Sequence, residues 1–371
     1  MRAILRACHH ECVRTLLVAL LLVVLSLPAA ADDGFAIALY KQLRGGAGNV
    51  VVSPFNVSEA LAMVRAGARG ATARELPLHR ARLNPRHAVG AAAVWSSGAL
   101  RTEYVATVKK DFGATAESLS FANPAAAAAR INSWASQSTR GRIRSLIAPA
   151  QLTNRTAAVL TAAIYMKAQW ASPFNRLGTG NHVFHLRGAD VSVPTMHSTR
   201  YTRFARLGAV RILELQYEAK DLSMLIVMPD ARNGLDALEK SLTPQLLARW
   251  TGALREVEVD IRLPRFRGAT SANLVEPLQR LGISTLFDPK RADLSGMSAK
   301  PLFISDVLHE AFIDVDEAGT VAAAVSAEEG EWTSTEAPPP PQPFNADHPF
   351  LYIIRSENQI LFIGRVVDPR G

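Results

Sequence analysis

Cysteine is nearly absent. The 371-residue chain has two, Cys8 and Cys12, and both precede an apolar run from Leu16 to Leu27. The remainder carries no thiol, which excludes a disulfide framework and a cysteine nucleophile. Stability must then come from burial, and 48% hydrophobic residues suffice for a large core in one or two domains. Lysine is also scarce, with arginine supplying most of the 41 basic residues. Aromatic residues make up 7% and do not interleave with the densest basic group, Arg65, Arg69, Arg74, Arg80, Arg82 and Arg86. Stacking of bases is thereby disfavoured, and no nucleic-acid partner is expected. The motifs of catalysis are missing too. There is no G-x-S-x-G elbow, no S-x-x-K pair, no glycine-rich phosphate loop and no H-E-x-x-H. His182 and His185 are three apart in an expected strand, hence on opposite faces. No catalytic residue, metal or cofactor is expected.

Residues 1–31 read as a leader. Arg2, Arg6 and Arg14 precede the apolar run, and Ala29-Ala30-Ala31 offers a small-residue cleavage site before Asp32. Loss of three arginines and one glutamate lowers the formal charge from +8 to +6. The expectation is a secreted protein, extracellular or periplasmic, with no membrane attachment after cleavage. Asn56-Val57-Ser58 and Asn154-Arg155-Thr156 are glycosylation acceptors wherever the host has that machinery.

The mature chain mixes helical and β patterns. Ser53-Pro54 and Asn123-Pro124 each place a capping side chain before a first-turn proline. Val57, Leu61 and Val64 then share one helix face. Tyr104 to Phe112, ended by Gly113, and Leu235 to Leu247 also read as helices. Val50–Val52, Ala91–Trp95, Val159–Trp170, Arg211–Tyr217 and Leu222–Met228 read as strands. Glu256 to Leu263 alternates strictly, with Val257, Val259, Ile261 and Leu263 on one face. Phe350–Arg355 and Ile360–Val366 predict a closing hairpin.

The stretch from His309 to Pro349 differs from the rest. A strand pattern, Ala311 to Val315, gives way to Glu317-Ala318-Gly319-Thr320-Val321-Ala322-Ala323-Ala324-Val325-Ser326-Ala327. An acidic, then proline-rich segment follows, with Pro338 to Pro341 stiff and extended. Propensity alone makes the alanine run a short helix capped by Thr320. The alternative is a segment that fits two environments, since only small side chains can leave solvent and slide between strands without clash.

Here the residues resemble a known family. Glu317-Ala318-Gly319-Thr320 followed by Val321-Ala322-Ala323-Ala324 is similar to the hinge of a serpin reactive-centre loop. His309 to Glu317 resembles the strand that feeds it. Phe344-Asn345-Ala346-Asp347-His348-Pro349-Phe350-Leu351 and Ile360-Leu361-Phe362-Ile363-Gly364-Arg365-Val366 resemble the serpin C-terminal signature. The resemblance spans Phe35 to Asp368. It implies an α+β fold of three β-sheets and about eight or nine helices, residues 32–371 forming one domain, with an exposed loop at approximately 317–343.

The resemblance also implies a function. A serpin of the inhibitory type is a suicide inhibitor of serine proteases. The protease cleaves the loop, an acyl-enzyme forms, and the hinge inserts into the central sheet. Glu317, Gly319, Thr320 and Val321 to Ala324 would be that hinge. Ser53, Asn56, Trp170 and His309 would belong to the gate where strands part. Ala162 stands where the family has an asparagine, so His309 would need another partner. Counting from Glu317 puts the reactive bond at Thr333-Ser334, or one residue earlier after Trp332. The first suits an elastase-like protease, the second a chymotrypsin-like one. If insertion starts at Thr320, then Thr320, Ala322, Ala324 and Ser326 face inward, all small and uncharged. Glu328 has the same parity and would be costly to bury. The alternatives are a non-inhibitory serpin used as a binding or carrier protein, or an inhibitor of cysteine proteases. A monomer is expected.

Overall fold

A computed structural model describes residues 27–77, 88–320, 339–356 and 359–371. Their strands fall into two hydrogen-bonded groups. The larger contains β1 (Val50–Val52), β6 (Gly180–Leu186), β7 (Ala189–Leu207), β8 (Val210–Gln216), β9 (Leu222–Pro229), β10 (Arg255–Pro264), β14 (Gln342–Asn345), β15 (Phe350–Ser356) and β16 (Gln359–Val366). Its path is β1-β16-β15-β9-β8-β7-β10-β14, with β6 on β7. The 19-residue β7 serves two sheets, pairing at its start with β6 and at its end with β8. The second and third expected sheets therefore run into one another.

The other group is the central sheet: β2 (Ala88–Ser96), β3 (Thr115–Ser118), β4 (Ala158–Met166), β5 (Ala168–Gln169), β11 (Phe266–Asn273), β12 (Asp306–Asp316) and β13 (Gly319–Thr320). Its order is β3-β2-β4-β12-β13-β5, with β11 on the other edge of β12. β4 is buried at every position, which explains why its sequence is apolar without alternation.

Eight α-helices lie among the described residues: α1 (Leu27–Leu43), α2 (Pro54–Gly67), α3 (Gly70–Glu75), α4 (Thr102–Thr107), α5 (Pro124–Ser138), α6 (Leu235–Ser241), α7 (Pro244–Ala253) and α8 (Val275–Arg280). Ser53 Oγ accepts from the Asn56 N–H, and Asn123 Oδ1 from the Ala126 N–H, as their Ser-Pro and Asn-Pro starts require. α2 packs under the central sheet, where Val57, Leu61 and Val64 meet Leu160, Ala162 and Val307. α5 covers the opposite face. Its Ile131 and Trp134 cluster with Trp95, Val159, Ala163 and Leu308, and the Trp95 and Trp134 rings meet edge-on at 5.7 Å.

Two helices depart from expectation. Leu235 to Leu247 is not continuous. Pro244 cannot donate to the preceding turn and pushes Thr243 to extended backbone, so one helix ends at Ser241 and another begins, capped by Thr243 Oγ1. The helix expected from Tyr104 to Phe112 widens into a π turn over Val108–Phe112 before Gly113 ends it at φ 62°. Buried Glu239 then ties α1, α6 and β16 together, accepting from Tyr40 Oη, Arg44 Nη1 and Arg365 Nη1.

Candidate functional site

The site is a seam in the central sheet. β4 and β12 run parallel, paired from Asp306↔Val159 to Phe312↔Tyr165. Beyond Phe312 the same edge of β12 is taken by β13, at Val315↔Thr320 and Asp316↔Gly319. On its far side β13 pairs with β5, at Gly319↔Gln169 and Thr320↔Ala168. The first two residues of the small-residue segment thus form a wedge at the open end of a seam that is zipped shut below it.

The wedge is held by side chains from four separate segments of the chain. Glu317 is buried, and its Oε1 accepts from Arg265 Nε at 2.8 Å and from Thr179 Oγ1. Burial pushes that carboxyl up, but the Arg265 and Thr179 hydrogen bonds outweigh it and hold the group below the usual carboxylate range. The Glu317 carbonyl accepts from Phe174 N–H and the Ala318 carbonyl from Trp170 N–H. Trp170 stacks on Tyr217 at 4.4 Å and donates its Nε1–H to the Asp316 carbonyl. Thr320 is fully buried with its Oγ1 3.0 Å from Tyr217 Oη. Gly319 sits at φ 138°, and a Cβ there would lie 2.4 Å from the Ala168 carbonyl. Glycine is demanded by both conformation and space.

Ser53, Asn56 and His309 come together halfway down the seam. His309 lies opposite Ala162 and is fully buried. Its Nδ1 is 3.0 Å from the Ala162 carbonyl, so Nδ1 carries the proton, and Nε2 accepts from Ser53 N–H at 3.1 Å. The backbone of Ala162 and Ser53 thereby supplies the partners that no side chain at position 162 provides. Ser53 Oγ also donates to the Leu361 carbonyl. Asn56 is buried with neither amide atom hydrogen-bonded, an arrangement that costs about 1–3 kcal/mol per orphaned group. Its burial also removes it as a glycosylation acceptor in the folded chain, whereas Asn154 is exposed. Trp170 does not join this cluster. It belongs to the wedge, whose Asp316 is seven residues along β12 from His309, about 23 Å.

Burial lowers the His309 pKa to about 4, against an ordinary 6.5. The sign follows from proton counting. Between pH 6.5 and 4 the unfolded chain binds the proton and the folded chain does not, so stability falls as pH falls through that window. The loss approaches about 3 kcal/mol at the low end. The expected outcome is that urea midpoints of wild type and His309→Gln diverge near neutrality and converge towards pH 4. Parallel pH profiles would contradict it.

Val321 to Ala324 and Trp332, Thr333 and Ser334 lie outside the described residues, as does the helix propensity would place after Thr320. Of the inward-facing set, Thr320 alone can be examined, and it points into the core. In the basic group, Arg65 donates to the Leu76 carbonyl and Arg69 to the Ala68 carbonyl, so those two serve the fold. His185 pairs with Asp190, and no group of metal ligands occurs among the described residues.

A serpin (serine protease inhibitor) family model matches residues 30–83 and 78–369. The chain belongs to the serpin family. Leukocyte elastase inhibitor of Bos taurus is 37% identical over 92% of this chain and 99% of its own, and the Homo sapiens protein of that name is 35% identical with the same coverage. An uncharacterized serpin-like protein of Thermococcus kodakarensis is 35% identical over 92% of this chain and 85% of its own. Among solved structures, uncleaved ovalbumin superposes with TM-score 0.81 at 28% identity, covering 92% of this chain and 99% of that one. Human thyroxine-binding globulin gives TM-score 0.81 at 26% identity over 92% and 98%. As a serpin, the chain has an α+β fold and belongs to a family of protease inhibitors.

Sequence reasoning missed Thr179, Arg265 and Tyr217. Each meets the wedge across 52 to 138 residues of chain. Glu317, a carboxylate at the head of a run of small uncharged residues, was the one available sign that a cation must stand opposite.

Proposed function

We propose that this serpin is a secreted, single-use inhibitor of serine proteases that traps the acyl-enzyme by inserting its cleaved loop into the central sheet. The observation that carries this reading is the wedge: Gly319 and Thr320 already occupy the slot between β12 and β5, and uncharged small residues follow them as far as Ala327. Insertion extends that strand by unzipping β4 from β12. About 14 residues at ~3.3 Å each would carry a tethered protease roughly 46 Å. The orphaned Asn56 amide supports a native gate that is not at its most stable arrangement. The loop and its hinge, Glu317 to Pro343, act as bait, and residues 1–31 are removed as a secretory leader, a reading that rests on the basic start, the apolar run and Ala29-Ala30-Ala31. The mature protein works as a monomer without cofactor, nucleic acid or membrane.

The relatives' names, leukocyte elastase inhibitor, support an elastase-like target and hence cleavage at Thr333-Ser334. Cleavage after Trp332 would select a chymotrypsin-like one. Incubation with both protease classes should give a detergent-resistant complex with the elastase-like one. Mass spectrometry of the released peptide should show a start at Ser334. Steady turnover with no trapped complex for either would reject inhibition and return the chain to a carrier role, as in the thyroxine-binding globulin it superposes on.

A further inference from the structure

Charge is unevenly spread along this chain. No aspartate or glutamate occurs between Glu117 and Asp190, while eight arginines and lysines do. Glu117 itself is taken by Arg130, which donates to it through Nε and Nη2. The stretch holds most of α5, the turn that follows it, and β4 to β6. β4 is buried at every position, so the positive charge gathers where these elements end. Arg65 and Arg69, in the group that the sequence singles out, serve the fold. The densest group of exposed arginines without a carboxylate lies elsewhere.

It is the turn after α5, Thr139-Arg140-Gly141-Arg142-Ile143-Arg144, whose three arginines are all exposed. Its backbone is fixed from within. Thr139 Oγ1 donates to the Ala135 carbonyl and accepts from Ile143 N–H, and Gly141 N–H donates to the Ser136 carbonyl. Ile143 is buried among the apolar side chains under α5. The arginines thus stand on a rigid base. None has an ion pair among the described residues. Arg142 lays its guanidinium over the Phe312 ring at 6.0 Å, a stack that occupies its face and not its N–H edge. Arg144 donates Nε–H to the Gly141 carbonyl and keeps both Nη groups. Arg140 is the one non-glycine residue at positive φ, 50°, among the described residues. An L side chain is strained there, and glycine would relax it. A strained arginine kept on an exposed, rigid turn marks a use for its side chain. Two carboxylates share the Phe312 face of β12. Asp314 is paired with Arg267 at 2.9 Å, and burial pushes half-buried Glu310 towards its neutral form.

We propose that this turn is a binding surface for a linear chain of phosphate groups without bases, with Arg140, Arg142 and Arg144 each taking a phosphate oxyanion. All three cations are arginine, whose planar fork of N–H donors matches phosphate oxygens in pairs. The acid-free stretch around the turn leaves the approach of a polyanion unopposed. Bases are set aside because they need rings to stack on. The only exposed aromatic side chain among the described residues, Tyr201, is on β7. The proposal does not depend on the inhibitory reading above.

The test measures binding of long-chain inorganic polyphosphate to the full mature chain across a salt series. The wild type should bind, with log K falling against log salt at a slope of about −2 for three contacts. Arg140→Gln, Arg142→Gln and Arg144→Gln should each weaken binding about fivefold, and the triple variant about 100-fold with almost no salt dependence left. Arg140→Gly should weaken binding as much as Arg140→Gln while its urea midpoint holds or rises, because the strain is gone. Arg74→Gln, an exposed position on α3, should bind like the wild type. Binding lost in Arg74→Gln and kept in the turn variants overturns the proposal in favour of another basic surface. A lowered midpoint in Arg140→Gly overturns it too, since the arginine then serves the fold. Equal affinity for dextran sulfate with the same pattern of losses overturns phosphate as the ligand chemistry. Tighter binding of single-stranded DNA overturns the exclusion of bases. No binding of polyphosphate at about 50 mM salt overturns the surface altogether.

Discussion

Thr320→Arg abolishes the trapped complex while the bait bond is still cut, so the protein turns from inhibitor into substrate. Thr320 is fully buried in the slot between β12 and β5, against Tyr217. Arginine at that position leaves the slot in the intact protein and must be forced back into it on insertion, and burying a guanidinium there costs several kcal/mol. Once the acyl-enzyme forms, insertion competes with hydrolysis. A barrier raised by about 3 kcal/mol slows insertion ~100-fold, which hands the competition to water. The yield of detergent-resistant complex should therefore fall by about two orders of magnitude, with turnover of the target's substrate restored. Thr320→Ser keeps the hydroxyl and the small volume and should trap normally. A Thr320→Arg protein that traps as well as the wild type would show that insertion does not begin at Thr320.

Glu317→Lys should be the most destabilising single change at the hinge. The native carboxylate is buried and pairs with Arg265 at 2.6 Å. Reversal places two cations together at a buried position, and Arg265, itself 43% exposed, can turn to water. With that solvent relief the cost is about 1–3 kcal/mol. Unfolding midpoints in urea should shift accordingly, and the charge-swapped pair Glu317→Lys with Arg265→Glu should recover a measurable part of the loss. A second effect follows from the register. Release of the wedge opens the β5-facing edge of β12 at Val315 and Asp316, while β11 stays on its other edge, and an extended segment of another copy can fill the gap. Concentration-dependent oligomers should appear in Glu317→Lys and not in the charge-swapped protein. An unchanged midpoint would mean that Arg265 does not anchor the hinge.

The parts of this fold that were legible in the sequence are those decided locally. Ser53-Pro54 and Asn123-Pro124 specify helix starts through their own side chains, and Val259, Ile261 and Leu263 mark a strand face by alternation. The hinge was readable because its smallness is unusual for a stretch of that length, and Gly319 proved indispensable for two physical reasons. What stayed hidden depends on chain segments far apart. Nothing near Glu317 announces Arg265 or Thr179. The break at Leu242 was visible in Pro244 but was overridden by the apolar pattern around it. The absence of a side-chain amide at Ala162 implied that His309 needs another partner, but not which: the neighbouring backbone carbonyl and the Ser53 amide serve it. Trp170 was grouped with the gate by resemblance, and its contacts put it at the hinge.

Hydrogen exchange at Val321 to Ser326, compared between the intact chain and a chain nicked in the loop, bears most directly on the claim that the severed hinge becomes a strand between β4 and β12. The account predicts that nicking makes those amides at least about 100-fold more protected, on the scale of core strands. Equal exchange before and after the cut would contradict it.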